Sequence, residues 1–176
     1  MTGIKLPYTI SYQFSQNFNV SAKEAYLWCT DFSPQDPALM SENNVTRKIT
    51  KLSQNTIILK ETIQVENEPV VKRKLVKLYP ERLTWISTHI NGPNKYAQFL
   101  YEVTAKTHGS SQLYFTAQHI EHQNEISPSG LQKLAASLCK HDTNIWKLLA
   151  QAMEKELTHQ PNNRQSPKPA AKYVDC

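Results

Sequence analysis

The feature that most constrains this chain is a run of strand-like segments between Val45 and Glu121. Six segments in this run alternate apolar and polar residues with the two-residue period of a β-strand, and none has a helical period. We place them at Val45–Leu52, Thr56–Val65, Pro69–Tyr79, Leu83–Asn91, Lys95–Ala105 and Gln112–Glu121. Because the connections between them are short, consecutive strands should be antiparallel neighbours in one meander.

One further strand and two short helices are predicted before the meander. Tyr8–Val20 alternates in the same way and predicts the first strand. Ser21–Glu24 has the spacing of a capping box, which predicts a helix reaching about Thr30. Two prolines then interrupt the chain, and a second turn of helix is predicted at Pro37–Met40.

A long helix is predicted at Ser127–Leu157, after the meander. Ser127 suits the N-cap and Pro128 the first helical position. At about 1.5 Å per residue the helix would be about 45 Å long, enough to cross a sheet. Its apolar face is formed by Leu131, Leu134, Leu138, His141, Ile145, Leu148, Leu149, Ala152 and Met153. His141 interrupts this face, and the sequence leaves open whether it points to the interior or to solvent.

The length and composition indicate one domain. The 176 residues suit a single core, and residues 160–176, rich in Pro, Asn, Gln and Lys, predict a disordered tail after a domain of residues 1–159. No apolar run approaches the roughly 20 residues of a membrane span, and the first ten residues lack the layout of a signal peptide. We therefore expect a cytoplasmic protein.

Neither a metal site nor a cofactor is predicted. Cys29, Cys139 and Cys176 are odd in number and lack CxxC spacing, so reduced thiols are expected. His119 and His122 would face opposite sides of a strand, which argues against a shared ion.

The charge argues against a nucleic-acid partner. The net charge is +5, and residues 160–176 account for +2 of it, which leaves about +3 for the domain. Basic residues on the early strands are Arg47, Lys48, Lys51, Lys60, Lys72 and Lys74, of which Lys60, Lys72 and Lys74 share the predicted outer face. They are interpreted as a solvated face, and attraction to an anionic membrane surface or to nucleic acid is the alternative.

The strand alternation also predicts which residues face inward. Odd-numbered positions are the apolar ones in Thr56–Val65, Lys95–Ala105 and Gln112–Glu121. Turns symmetric about Asn67 and Glu81 would pair odd residues with odd residues throughout the meander.

Polar residues share this predicted inner face. Symmetric turns would place Glu61 opposite Arg73, and Arg73 opposite His89. This group is a satisfied polar cluster, a sign that the register is wrong by one, or an anchor for a carboxylate, phosphate or quinone oxygen of a ligand. Lys77 has the same parity, and a lysine on the inner face conflicts with the predicted burial of that face.

The order of elements resembles the helix-grip superfamily, which includes START-related lipid-transfer proteins, polyketide cyclase-like proteins and the birch-pollen allergen family. FNVSAKEAYLWCTDF is similar to the family's opening strand-to-helix passage, and LYPERLTW is similar to the proline-containing turn between two middle strands. The resemblance implies an α+β fold in which a seven-stranded curved antiparallel sheet wraps around the long C-terminal helix. Glycine is absent between the second and third strands of the meander, so the glycine-rich loop of the allergen branch is not expected.

The resemblance further implies a cavity for an apolar ligand between sheet and helix. Predicted ligand contacts are Glu61, Arg73, Trp85, His89, Phe99, Tyr101, Phe115, His119 and His141. The leading hypothesis is binding, or transfer, of a hydrophobic small molecule such as a lipid, isoprenoid or polyketide. The alternatives are a cyclase or dehydratase, with His89 or His119 as base and Arg73 stabilising an enolate, and a protein-interaction module whose core is filled. The oligomeric state is not predicted.

Overall fold

The computed structural model describes residues 8–40, 44–66, 68–92, 94–121 and 127–158. These residues form β1 (Tyr8–Phe18), α1 (Ala22–Cys29), α2 (Asp36–Leu39), β2 (Val45–Ser53), β3 (Thr56–Val65), β4 (Glu68–Tyr79), β5 (Thr84–Asn91), β6 (Gln98–Ala105), β7 (Ser111–Glu121) and α3 (Pro128–Thr158). The predicted order of strands and helices is confirmed. The predicted tail at residues 160–176 lies outside the described residues.

The described strands form one antiparallel sheet in the order β1-β7-β6-β5-β4-β3-β2. Strands β2 to β7 are therefore the predicted meander, and β1 returns to pair with β7. Helix α3 packs on the inner face of the curved sheet. The core between them includes Trp85 and Phe115 from the sheet and Trp146, Leu149 and Met153 from α3.

The helix starts follow from local sequence. At α1 the Glu24 N–H donates to Ser21 Oγ at 3.3 Å, and the Ser21 N–H donates to Glu24 Oε2 at 3.3 Å, which is the predicted capping box. At α3 the Ser127 hydroxyl accepts a hydrogen bond from the Gly130 N–H at 3.1 Å. Both predicted N-caps are confirmed.

The predicted register of β4 is wrong by one residue. Val65 pairs with Glu68, so the hairpin has two residues where three were predicted, and Glu66 has the positive φ of 47° that suits such a tight turn. As a result Glu61 lies opposite Lys72. Arg73 is exposed and points away from the sheet's inner face.

The turn after β4 contains a second one-residue difference that cancels the first. Tyr79 pairs with Thr84 across a single 3-10 turn at Pro80–Arg82, which ends on Leu83 at a φ of 50°. The odd-numbered residues of β5 therefore face inward as predicted, and only β4 is inverted. This inversion also explains Lys77, which is exposed.

The buried face of α3 is rotated slightly from the predicted one. Trp146, Leu149, Ala150 and Met153 are buried, whereas Leu148 is 39% exposed. Among the described helices, none combines the length and apolarity needed to cross a membrane.

Candidate functional site

A cavity of about 340 Å³ lies between the inner face of the sheet and α3. Eight of the nine predicted contact residues line it: Glu61, Trp85, His89, Phe99, Tyr101, Phe115, His119 and His141. Arg73 does not, because the register of β4 turns it outward. His141 lines the cavity while being exposed, so the cavity reaches solvent at this point of α3.

Aromatic rings form one wall of the cavity. The rings of Trp85 and Tyr101 are stacked with centroids 4.6 Å apart and planes 5° apart. Tyr101 meets Phe115 edge-on at 5.1 Å. Trp146, from α3, lies 5.8 Å from Tyr101 and 6.3 Å from Trp85. The wall offers flat apolar surfaces of the kind that stack against a ring or cover a hydrocarbon chain.

An ion-pair network lines the side of the cavity formed by β2, β3 and β4. Arg47 lies between two carboxylates, with Nη2 2.7 Å from Oε1 of Glu61 and Nη1 2.6 Å from Oδ2 of Asp36. Lys74 Nζ lies 2.7 Å from the other carboxylate oxygen of Glu61. Arg47 also donates to the Ser33 carbonyl at 3.3 Å, which ties the segment before α2 to the sheet.

Glu61 is ionised in this network. Burial raises its pKa, but the charges and hydrogen bonds of Lys74 and Arg47 outweigh burial and hold the pKa at about 2. A buried carboxylate is tolerated here because both of its oxygens have cationic partners.

His89 is the buried polar side chain with an unused atom on the cavity. It is 5% exposed, and Nδ1 has no hydrogen-bond partner in the described part of the chain. Its ring lies 5.1 Å from that of Phe99. Burial, aided by the charges of Lys74 and Lys72, lowers its pKa to about 3. The ring is therefore neutral at physiological pH and can exchange a hydrogen bond with a ligand.

Tyr12, His119 and Asp142 form a second polar group. The Tyr12 hydroxyl donates to Asp142 Oδ2 at 2.5 Å and lies 3.0 Å from Nε2 of His119. A tyrosine oxygen that donates its proton to Asp142 can accept the proton of a neutral His119 Nε2–H. The three residues thereby link β1, β7 and α3 in one hydrogen-bonded chain.

The protonation of this chain is set by burial. Burial raises the pKa of Asp142, although the hydrogen bond from Tyr12 and the neighbouring histidines oppose the rise. Burial lowers the pKa of His119, with the Asp142 charge opposing it. Burial and Asp142 raise the pKa of Tyr12. These shifts favour a neutral histidine and a protonated phenol beside a carboxyl group able to take up a proton.

Cys29 also lines the cavity. Burial, and then the charges of Asp36 and Asp31, raises the pKa of its thiol, so the thiolate needed for nucleophilic attack is disfavoured. Among the described residues, no group of three or more His, Cys, Asp or Glu side chains has the arrangement of a metal site.

Several cavity residues were not predicted as contacts: Arg47, Lys72, Lys74, Asp142 and Trp146. Two of them carried a signal. Arg47 alternates with Val45 and Ile49 on β2 and so shares their inner face. Asp142 lies four residues after Leu138 and three before Ile145, on the helix face that lines the cavity. Lys72 and Lys74, predicted to face outward, line the cavity because β4 is inverted.

The sequence matches no protein-family model and no curated protein. Solved structures do resemble the chain. The Zhui aromatase/cyclase from Streptomyces sp. R1128 has a TM-score of 0.68 at 10% identity, covering 85% of this chain and 96% of its own. Norcoclaurine synthase from Thalictrum flavum, in complex with dopamine and hydroxybenzaldehyde, has a TM-score of 0.65 at 16% identity, covering 89% and 91%.

A third similar structure is a START superfamily protein from Mycobacterium smegmatis, with a TM-score of 0.59 at 14% identity, covering 85% of this chain and 97% of its own. All three matches extend over most of both chains. Identities this low establish the fold and not the activity. The chain has the helix-grip fold implied by the resemblance, and the long helix, the two short helices and the seven-stranded sheet match it element by element.

Proposed function

We propose that this helix-grip chain binds a small, mainly apolar molecule in the cavity between the sheet and α3. The observation that carries the proposal is a cavity walled by the rings of Trp85, Tyr101 and Phe115 and also lined by His89, whose Nδ1 is buried without a partner in the described part of the chain. An apolar pocket with a few converging polar groups is the usual form of a small-molecule site.

The cavity volume limits the ligand. The 340 Å³ cavity is at the lower end of the roughly 300–1,000 Å³ found for small-molecule sites. That space suits one compact ring system or one short hydrocarbon chain, and it is too small for a two-chain phospholipid. Of the predicted ligand classes, a polyketide-like or isoprenoid molecule fits better than a membrane lipid.

The similar structures support a ring-bearing ligand. One of them is a complex of norcoclaurine synthase with dopamine and hydroxybenzaldehyde, both single aromatic rings. Another is an aromatase/cyclase. The stacked pair of Trp85 and Tyr101 offers a flat surface for such a ring.

Native mass spectrometry of the protein purified from its own host tests the proposal. We expect an adduct of small mass on the wild type. Ser87→Leu places extra bulk at a buried residue on the cavity lining and should remove the adduct. Thr88→Leu, next to it on the outer face of β5, is the matched control and should retain it. An adduct retained equally by both variants would place the ligand elsewhere, and no adduct on the wild type would count against the proposal.

A second candidate function is proton transfer on a bound carbonyl compound, favoured by the chain of Tyr12, His119 and Asp142. Neutral His119, with its Nε2–H directed at Tyr12, would remove a proton from the carbon next to the carbonyl through Nδ1, and the link through Tyr12 to Asp142 would stabilise the imidazolium that forms. The proton held by His119 exchanges with solvent, and a solvent-derived proton is then returned to the carbon, which balances the exchange. Arg73 has no part in this step, because it points outward.

Deuterium exchange tests this second candidate. NMR of 2-tetralone in heavy water should show faster loss of its α-protons with the wild-type protein than with buffer. Tyr12→Phe removes the hydroxyl that orients His119 and should slow the exchange about 100-fold, at the lower end of what a positioned general base contributes. Tyr114→Phe, on the exposed side of β7, should have no effect. Equal rates with and without protein would exclude this activity for 2-tetralone and leave the binding proposal standing.

A further inference from the structure

We propose that the ligand of the cavity carries one anionic group, such as a carboxylate, held beside Lys72 and His89. This inference rests on the proposed function, because it concerns the same cavity. Lys72 is on β4 and His89 is on the adjoining strand β5, and both side chains line the cavity. Such a group would fix the orientation of the ligand in an otherwise apolar cavity.

The lysine and arginine side chains on the cavity are paired with carboxylates, with one exception among the described residues. Six charged groups line the cavity: Asp36, Arg47, Glu61, Lys72, Lys74 and Asp142. Arg47 is shared by Asp36 and Glu61, and Lys74 is bound to Glu61 at 2.7 Å. Lys72 forms no salt bridge with any described residue. It is therefore the lining cation whose charge a ligand can neutralise without breaking an existing ion pair.

His89 has a ring nitrogen without a hydrogen-bond partner among the described residues. This side chain is 95% buried, since only 5% of it is exposed, and its Nδ1 has no partner in the described part of the chain. A polar atom buried in this way normally has a hydrogen-bond partner. In the tautomer with a proton on Nδ1, the neutral ring donates to an anion. Lys74 is directly opposite His89 in the sheet register but is paired with Glu61, so Lys72 supplies the unpaired positive charge at this end of the cavity.

The backbone of Gly92 packs closely against Lys72. Gly92 has a φ of 92°, and a Cβ added to it would lie 3.0 Å from the Val71 carbonyl oxygen and 3.2 Å from Cγ of Lys72. Any larger residue would press on the lysine side chain and its strand. Glycine thus leaves Lys72 the space that it occupies along the cavity.

The carboxyl groups around the cavity explain why the anion belongs at this end. The carboxylates of Asp36 and Glu61 are already paired with cations. Arg47 binds both of them, and Lys74 binds Glu61. Asp142 is on α3, where it accepts the hydrogen bond of Tyr12, and it has no cationic side chain within salt-bridge distance among the described residues. An anion near Asp142 would be repelled, whereas one near Lys72 is attracted.

Calorimetric titration with matched acid and amide pairs tests the inference. The probes are 2-naphthoate against 2-naphthamide, and decanoate against decanamide, because each pair differs in charge and hardly in shape. We expect the wild type to bind at least one acid about tenfold more tightly than its amide. Lys72→Gln should abolish this preference, and Lys72→Arg should retain most of it. Arg73→Gln removes the same charge from the next residue on the outer face, and it should change neither affinity by more than about twofold.

The outcomes separate this inference from the proposed function. Equal affinity for acid and amide, unchanged by Lys72→Gln, would overturn the anionic group and leave apolar binding intact. A loss of acid preference in Arg73→Gln as large as in Lys72→Gln would overturn it too, because the effect would then be one of overall charge. Failure of all four probes to bind the wild type would contradict both the inference and the proposed function.

Discussion

The ammonium nitrogen of Lys74 lies 2.7 Å from Oε2 of Glu61 on the neighbouring strand, in the place predicted for Arg73. Arg47 binds the other oxygen of the same carboxylate at 2.7 Å. Glu61 therefore joins strands β2, β3 and β4 on the cavity side of the sheet, and this shared ion pair holds that side of the cavity in shape.

The first prediction concerns Glu61→Gln. Removing the charge leaves the half-buried Lys74 without a carboxylate and the buried Arg47 with Asp36 alone, so the free energy of unfolding at pH 7 should fall by about 3 kcal/mol. The folded pKa of about 2 lies below the ordinary value of 4.5. The stabilisation is therefore present above pH 4.5 and is lost as the pH falls towards 2.

Urea denaturation of wild type and variant at pH 7 and pH 3 measures this effect. The difference between the two proteins should shrink by about 2 kcal/mol between these pH values. Glu102→Gln, on the exposed side of β6, is the control and should cost little at either pH. A difference that stays constant with pH would mean that Glu61 is not held ionised by its partners.

The second prediction concerns the titration of His89. Its folded pKa of about 3 lies below the ordinary value of 6.5, because the buried ring resists a charge. The unfolded chain takes up the proton first as the pH falls, so this residue destabilises the fold progressively between pH 6.5 and pH 3. Between pH 6.5 and pH 5 the loss should be about 2 kcal/mol.

His89→Phe should remove this loss of stability between pH 6.5 and pH 5. Urea denaturation of wild type and variant at both pH values measures the difference. NMR of the wild type should show no titration of the His89 ring between pH 5 and pH 8. A His89 midpoint near 6.5 would show that the ring is solvated in solution and would contradict its burial beside Phe99.

The third prediction concerns the hydrogen bond between Tyr12 and Asp142. Burial raises the pKa of Asp142 and the Tyr12 hydroxyl opposes this rise. Tyr12→Phe should therefore raise the pKa of Asp142 further, as measured from the carboxyl carbon shift by NMR. Tyr114→Phe leaves this contact intact and should leave the shift unchanged. An unaltered pKa in Tyr12→Phe would show that the 2.5 Å hydrogen bond is not formed in solution.

Asp142 also gives a prediction for ligand binding. If the anionic end of the ligand lies beside Lys72, the Asp142 charge on the facing helix weakens its binding. Asp142→Asn should then tighten binding of 2-naphthoate by about threefold, and leave 2-naphthamide unchanged. Glu121→Gln, outside the cavity lining, provides the control. Weaker binding of the acid in Asp142→Asn would place the anionic group on the other side of the cavity.

Most of the fold was predictable because strand alternation and short connections leave few topologies. The inner faces of β3, β6 and β7 follow directly from their odd-numbered apolar residues, and that of β5 was predicted correctly because the one-residue errors in the two turns around β4 cancel. The predicted inner face of β4 was wrong because the number of residues in the turn before it was misjudged by one. An error of one residue in a turn exchanges the inner and outer faces of the strand that follows. The length of a tight turn depends on backbone angles such as the φ of 47° at Glu66. A positive φ is common for Gly or Asn, so a glutamate at this position gives no sequence signal for the turn.

The site was predictable to the extent that it depends on parity. Trp85, Phe99, Tyr101 and Phe115 line the cavity because they alternate with polar residues on strands whose register was correct. The cationic partners of Glu61 were not predictable. Whether Arg73 or Lys74 faces Glu61 depends on the number of residues in the turn between β3 and β4. The chain of Tyr12, His119 and Asp142 joins the first strand to the last helix, and no local pattern reveals a contact between residues 130 positions apart.

The central claim is that the space between sheet and α3 holds a ligand, and a crystal structure of the protein isolated from its own host tests it most directly. With no ligand added, the account predicts continuous non-protein density against Trp85, Tyr101 and Trp146, with a polar end at Lys72 and His89. A cavity that contains only separate ordered waters, or one closed by side chains that move in from the wall, would contradict it.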